Sequence, residues 1–314
     1  MGAAVQLAPT RVGKFELLLP IGTGGMATVF LARAPVFAGV YRDVAVKLMH
    51  PHLGADGVDG PAMLLQEAEI AALVRHPNVV AVEEAAIDPA GVYLVMPYVE
   101  GDSLSGLLRA ELARGGTMPR PIAARILCDA LAGLHAAHEL CDDQGHPRNV
   151  VHRDFTPSNI IVGIDGTSRL TDFGIAKTAS RIARTSTGQV KGKVGYMSPE
   201  QVRALPLDRR ADVWAAGVVA WECIAGQGLF GGDDVGVMLR IAQDVPPRLR
   251  SVRPDVPHPI DSAVAAALDP ALETRCASAD ELRQRLVTAF ELDSGIADTA
   301  EVAAYVRRIA GPAL

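Results

Sequence analysis

The sequence predicts an α+β protein of two lobes, a small strand-rich lobe followed by a larger helical one. Three observations carry this. Strand-like runs broken by turn residues crowd residues 15–49, as FELLLPIG, MATVFLAR and RDVAVKLM. Beyond about residue 101, apolar residues recur at helical spacing, as at Leu127, Leu131 and Leu134. The change of pattern falls near Pro97–Gly101, which marks the junction.

Taken in order, residues 1–14 read as a flexible leader. Gly- and Asp-rich residues 54–60 form a loop, and Pro61 is placed to open a helix running to about Arg75. Val79–Val82 and Val92–Val99 read as further strands. Pro119–Leu140 is a long helix, and Val213–Ile224, apolar on every side, is a helix buried all round. Helices at about 235–243, 260–268 and 279–291 follow. In the tail, residues 291–314, Asp298 and Glu301 form a capping-box pair that opens a helix with Val302, Tyr305, Val306 and Ile309 on one face.

Composition narrows the function. Of 314 residues, 49% are hydrophobic, enough for a sizeable core. Thirty basic against 36 acidic residues give a net charge of −6, which argues against nucleic acid as the main partner. The four cysteines lack C-x-x-C spacing, so neither a zinc site nor a disulfide framework is indicated. No signal peptide or stretch of 18 apolar residues appears, and the chain reads as cytoplasmic with no membrane insertion.

Three constellations carry chemistry. Gly22, Gly24 and Gly25 sit between two strand-like runs, where missing Cβ atoms let backbone N–H groups approach phosphates; the same pattern also suits a plain tight hairpin. Lys47 alternates with Val44 and Val46 on a strand, so it shares a face with Ala45. Glu67 lies within the apolar stripe Met63, Leu64, Ile70, Ala71 and Val74, where a carboxylate needs a cation; Lys47 is the candidate. The densest cluster is His152-Arg153-Asp154 with Asn159, followed by Asp172-Phe173-Gly174. It offers a base for a hydroxyl, and an amide oxygen and a carboxylate suited to hard divalent cations.

In these motifs the chain resembles bacterial eukaryotic-like serine/threonine protein kinases over about residues 15–290. The resemblance implies a bilobal kinase fold, with an antiparallel N-lobe at about 15–98 and a helical C-lobe at about 99–290. It implies ATP as phosphoryl donor, Mg²⁺ (or Mn²⁺) as cofactor, and protein serine and threonine hydroxyls as acceptors. Asp154 would orient the acceptor hydroxyl, Asn159 and Asp172 would hold the metal, and Lys47, fixed by Glu67, would contact phosphates. Nucleotide contacts are expected from Ile21, Gly22, Thr23, Gly24, Gly25, Ala27, Val29, Ala45, Lys47, Met96, Pro97 and Val99. Asp212 would anchor the catalytic-loop backbone, and Arg275 would pair with Glu200 of Ser198-Pro199-Glu200.

Two departures stand out. Ala27 replaces the third loop glycine. Thr156 stands where the family carries a lysine, and Lys193 where it carries a threonine. The exchange bears on rate and on the serine/threonine-versus-tyrosine assignment. It suggests that the Lys193 ammonium serves the phosphate while the Thr156 hydroxyl holds Asp154. The resemblance also implies autophosphorylation at Thr185 or Thr187, read by Arg153, and a homodimer in which one copy modifies the other. The alternatives are a pseudokinase serving as an ATP-binding interaction module and a small-molecule kinase of related fold.

Overall fold

The computed structural model describes residues 10–25, 27–50, 60–172 and 193–311, without the side chains of 60–64, 66 and 67. The chain divides into two compact units. The first holds the described residues up to Leu73 together with Val80–Val99; the second holds Val74–Val79 and the rest.

The first unit is a six-stranded antiparallel sheet with one helix, α1 (Gly60–Leu73). Its strands β1 (Arg11–Val12), β2 (Phe15–Thr23), β3 (Ala27–Phe37), β4 (Val40–Met49), β5 (Glu84–Asp88) and β6 (Gly91–Pro97) lie in the order β1-β2-β3-β4-β6-β5. Period-two alternation decides the faces. Val44, Val46 and Val95 turn inward with Phe15, Phe30 and Tyr93 to make one apolar core. Phe15 and Tyr93 meet edge to face, their ring centroids 6.0 Å apart.

Two expectations need correction here. The leader expected through residue 14 ends earlier, because Arg11 and Val12 pair with Glu16 and Phe15 and Val12 is fully buried. Val79–Val82 is not a strand. Its valines are buried, which produces the apolar run, but the backbone makes only a single bridge, Val79 to Leu170. The strand instead begins at Glu84, a stretch poor in β-branched residues that gave no signal.

The second unit is mainly helical. A short sheet of β7 (Gly101–Ser103), β8 (Ile160–Gly163) and β9 (Ser168–Leu170) accompanies α2 (Leu104–Ala113) and α3 (Arg120–His138). At its centre runs α5 (Arg210–Ala225), buried at every position from Ala211 to Ala225 except Glu222, as its all-round apolarity predicts. It lies so close to α8 (His258–Ala267) that a Cβ on Gly217 would sit 2.9 Å from that of Ala267. On α3, Gly133 lets the carbonyl of Asn78 approach to 2.3 Å of where a Cβ would stand. Asn78 in turn accepts from the Leu170 amide at 2.9 Å and donates to the Ser168 carbonyl at 2.9 Å. That contact fixes the strand leading to Asp172. Helices α4 (Pro199–Val202), α6 (Asp234–Gln243), α7 (Leu249–Val252) and α9 (Ala279–Glu291) complete the unit with α10 (Thr299–Ala310).

Helix α10 opens with the expected reciprocal capping box between Asp298 and Glu301. Its face of Val302, Tyr305, Val306 and Ile309 is buried, and it packs beside α2, α3, β7 and β8. Arg114 donates to the carbonyls of Arg308 and Ile309 at 3.3 and 3.2 Å, satisfying carbonyls at the helix end.

Candidate active site

In the first unit, cross-strand register gathers the expected nucleotide residues on one face. Val29 lies opposite Lys47, which lies opposite Leu94; Leu31 lies opposite Ala45, which lies opposite Met96. Partners across antiparallel strands point the same way, so Val29, Ala45, Lys47 and Met96 share the face opposite the core. Lys47 is partly buried there. Gly22 pairs with Val29 and Thr23 with Thr28 at the hairpin mouth, and Gly24 closes it by donating to the Ala27 carbonyl at 2.9 Å. Ile21, on the same strand, is exposed. Gly25 follows at the tip, and Pro97 ends β6 two residues before Val99. Glu67 falls within α1, but its side chain, and so its expected pairing with Lys47, lies outside the described residues.

In the second unit the loop from His152 to Asn159 is tied down from several directions. Asp212, at the start of α5 and 1% exposed, accepts from the His152 amide at 2.6 Å and the Arg153 amide at 2.7 Å. Its third donor is His138 Nε2 at 2.8 Å, from the last turn of α3. Burial alone would push the Asp212 carboxyl up, but these bonds and the neighbouring imidazoles hold it below its usual range. The carboxylate is therefore ionised, and His138 donates through Nε2. This histidine was not singled out by the sequence, because a lone histidine at a helix end carries no pattern.

Arg153 adopts a left-handed conformation, φ 62°, as does Asp172 at φ 58°. Such strain costs about 1–2 kcal/mol per residue and persists only where neighbours enforce it. For Arg153 the Asp212 bond to its amide is one such contact, and Gln201 Nε2 donating to its carbonyl at 3.4 Å is another. His152 is fully buried, and burial outweighs the nearby carboxylates to lower its pKa. The neutral ring donates from Nε2 to the Thr171 carbonyl at 3.2 Å and accepts at Nδ1 from the Asp154 amide at 3.3 Å.

Asp154 is held in turn. Asn159 Nδ2 donates to its carbonyl at 2.8 Å and its Oδ2 at 3.0 Å, and Lys193 Nζ donates to the same Oδ2 at 2.7 Å. The Asn159 carbonyl accepts from the Thr171 amide at 2.9 Å, which brings Asp172 alongside. Three of the expected residues, Asp154, Asn159 and Lys193, are thus joined by hydrogen bonds. Thr156 is not. Its hydroxyl is buried and makes no hydrogen bond among the described residues, so the expected link from Thr156 to Asp154 gives way to the Asn159 amide. Phe173, Gly174, Thr185 and Thr187 lie outside the described residues.

The donor set suits a divalent cation bound together with phosphate. With its Nδ2 committed to Asp154, Asn159 offers Oδ1 as its ligand end, and Asp172 offers a carboxylate. Among the described residues no three His, Cys, Asp or Glu side chains gather into a cage. A hard cation here would complete its shell with phosphate oxygens and water.

Further along, Tyr196 donates to Glu222 at 2.7 Å, and Ser198 caps α4 in a reciprocal box with Gln201. Glu200 meets Arg275 at 2.7 Å, as expected; the guanidinium is fully buried and lies 5.1 Å from the Trp214 ring centroid.

Comparison with known proteins places these motifs in a family. Residues 15–279 match the protein kinase domain. The tyrosine-protein kinase MasK of Myxococcus xanthus is 38% identical over 277 residues, covering 88% of this chain and 43% of MasK. The serine/threonine-protein kinase PrkC of Bacillus subtilis is 31% identical over 284 residues, covering 90% of this chain and 41% of PrkC. The chain therefore spans less than half the length of either relative. Among solved structures, the PknI kinase domain of Mycobacterium tuberculosis superposes with a TM-score of 0.67 at 23% identity, covering 91% of this chain and 98% of that one. This likeness bears on fold alone.

Proposed function

Because the chain belongs to the protein kinase family, we propose that it transfers the γ-phosphoryl group of ATP to serine and threonine hydroxyls of proteins. The observation that supports this best is the hydrogen-bonded set of Asp154, Asn159 and Lys193, on a loop that Asp212 holds by two consecutive amides. In this reading Asp154 orients the acceptor hydroxyl and takes its proton. Asn159 and Asp172 hold Mg²⁺, or Mn²⁺ in its place, which supplies charge against the phosphates. Lys47, fixed by Glu67, contacts the phosphates, and the backbone from Gly22 to Ala27 covers them. Ala45, Met96, Pro97 and Val99 receive the adenine. Positioning and charge carry the rate, with no covalent intermediate on the protein. Use of ATP and four free cysteines fit a cytoplasmic kinase domain.

The same activity would act on a second copy of the chain at Thr185 or Thr187, with Arg153 receiving the new phosphate. Tyrosine is the second reading, favoured by the uncharged Thr156 and by the similarity to MasK, a tyrosine-protein kinase. The test is incubation of the purified chain with labelled ATP and Mg²⁺, beside an Asp172→Asn control, followed by phosphoamino-acid analysis. Phosphoserine or phosphothreonine from the parent alone is expected. No transfer would refute the kinase reading, and phosphotyrosine alone would refute its hydroxyl class.

A further inference from the structure

We propose that Lys193 is a catalytic residue whose ammonium acts directly on the transferring phosphoryl group, from the segment that enters α4 and not from the loop that carries Asp154. The proposal rests on the kinase reading above. Its foundation is the 2.7 Å contact between Lys193 Nζ and Asp154 Oδ2, the oxygen that also accepts from Asn159.

A protein hydroxyl that gives its proton to the Asp154 carboxylate must come within hydrogen-bond reach of it. An ammonium already bonded to that carboxylate is then within about 5–7 Å of the hydroxyl oxygen, depending on which carboxylate oxygen the hydroxyl meets. In the transfer, the hydroxyl oxygen bonds to the γ-phosphorus. The bond from phosphorus to the β–γ bridging oxygen breaks, and its electron pair leaves with ADP. The hydroxyl proton passes to Asp154. Lys193 stays protonated throughout and offsets charge on the phosphoryl oxygens.

Two features fit this role. The ammonium has three donors, and the Lys193 side chain is 46% exposed, so capacity remains beyond the Asp154 bond. Its backbone is also anchored. The Lys193 carbonyl accepts from the Tyr196 amide at 3.2 Å, Val194 is buried, and Tyr196 is bonded to Glu222 on α5. A cation held this way needs little reorganisation when charge develops beside it. Thr156 offers no substitute, since its hydroxyl is buried and uncharged.

A purely structural ion pair would behave otherwise. Lys193 is half-exposed and Asp154, 11% exposed, keeps its bonds from Asn159, so removing the ammonium should hardly move the melting temperature. The test compares Lys193→Met and Lys193→Arg with the parent. It measures kcat, KM for ATP, melting temperature, and calorimetric affinity for Mg²⁺-ADP with and without aluminium fluoride, which mimics the transferring group.

Lys193→Met should lose about a hundredfold in kcat, with KM for ATP and the melting temperature nearly unchanged. It should also bind the fluoride complex about a hundredfold more weakly while binding ADP as the parent does. Lys193→Arg should recover at least about tenfold of the lost rate. A Met variant within threefold of the parent, an Arg variant as slow as the Met variant, or equal losses for ADP and its fluoride complex would each overturn the proposal. A parent that transfers no phosphate would overturn the kinase reading instead. The fluoride titration, which needs no turnover, would still decide whether Lys193 meets the phosphoryl group.

Discussion

Asp212→Asn should damage the chain out of proportion to the single atom exchanged. The carboxylate, itself buried, accepts from two consecutive amides and an imidazole. An asparagine of the same shape keeps one acceptor oxygen and turns two N–H donors toward groups that are themselves donors. At least one of the His152 and Arg153 amides loses its partner, at about 1–3 kcal/mol, and the remaining bonds lose their charge assistance, at about 1 kcal/mol each. The sum, about 3–5 kcal/mol, matches what removing one side of a buried ionic contact usually costs. Arg153, no longer held at φ 62°, can relax out of the left-handed region, and Asp154 moves with it. Urea denaturation read by tryptophan fluorescence measures the first effect, since Trp214 and Trp221 are both buried on α5. Turnover at a temperature where the variant stays folded measures the second, expected as a fall of about a hundredfold in kcat. A loss below about 1 kcal/mol with kcat within threefold of the parent would refute the reasoning; loss of stability alone would refute the positioning part.

Further expectations concern other parts of the second unit. Arg275→Met strands the buried Glu200 carboxylate and should cost about 3–5 kcal/mol, whereas adding Glu200→Gln should restore part of it; a denaturation midpoint unmoved by Arg275→Met would contradict the pairing. Truncation after Leu292 removes the buried face of Val302, Tyr305, Val306 and Ile309 and should lower the melting temperature by at least about 5 °C, so an unchanged value would show that α10 is not part of the packed unit. His152 has its pKa lowered by burial, so below its ordinary value of 6.5 the unfolded chain binds the proton that the folded one refuses. That contribution to stability is complete above pH 6.5 and is lost as pH falls toward the depressed folded value. The stability lost between pH 7 and 5.5 should therefore shrink in His152→Gln, and an equal loss in parent and variant would exclude His152 as a source.

Where pattern and environment coincide, the sequence is a good guide. Residues 44–47 alternate as a strand with one face in a core, and the structure puts Val44 and Val46 there. Helix α9 occupies the predicted span, because apolar positions at helical spacing face its neighbours. Val79–Val82 misleads because burial alone selects valine there, and no neighbouring strand is available beyond one bridge. Strands β7, β8 and β9, three or four residues each, are too short for alternation to register. At the candidate site, Asp154 and Asn159 are legible because one short loop carries both. His138 is not, since its meaning comes only from Asp212, 74 residues away. The contact between Lys193 and Asp154 is intermediate: residue types suggested an exchanged role, but only the fold could show that Asn159, and not Thr156, completes it.

Strand β4 constrains how this chain can vary in length. Each of its consecutive residues is committed to a different face, with Val44 and Val46 filling the core and Ala45 and Lys47 on the opposite side. Substituting one position therefore disturbs one face and leaves the other intact. Inserting or deleting a single residue ahead of Val44 would exchange the two sets together, driving an ammonium into the apolar core and presenting valine in its place. Length changes can be absorbed at the Ala38–Gly39 turn between β3 and β4, where a Cβ on Gly39 would meet nothing within 4 Å. Within the strand they are tolerable only in pairs, because only an even shift returns Lys47 to its own side of the sheet.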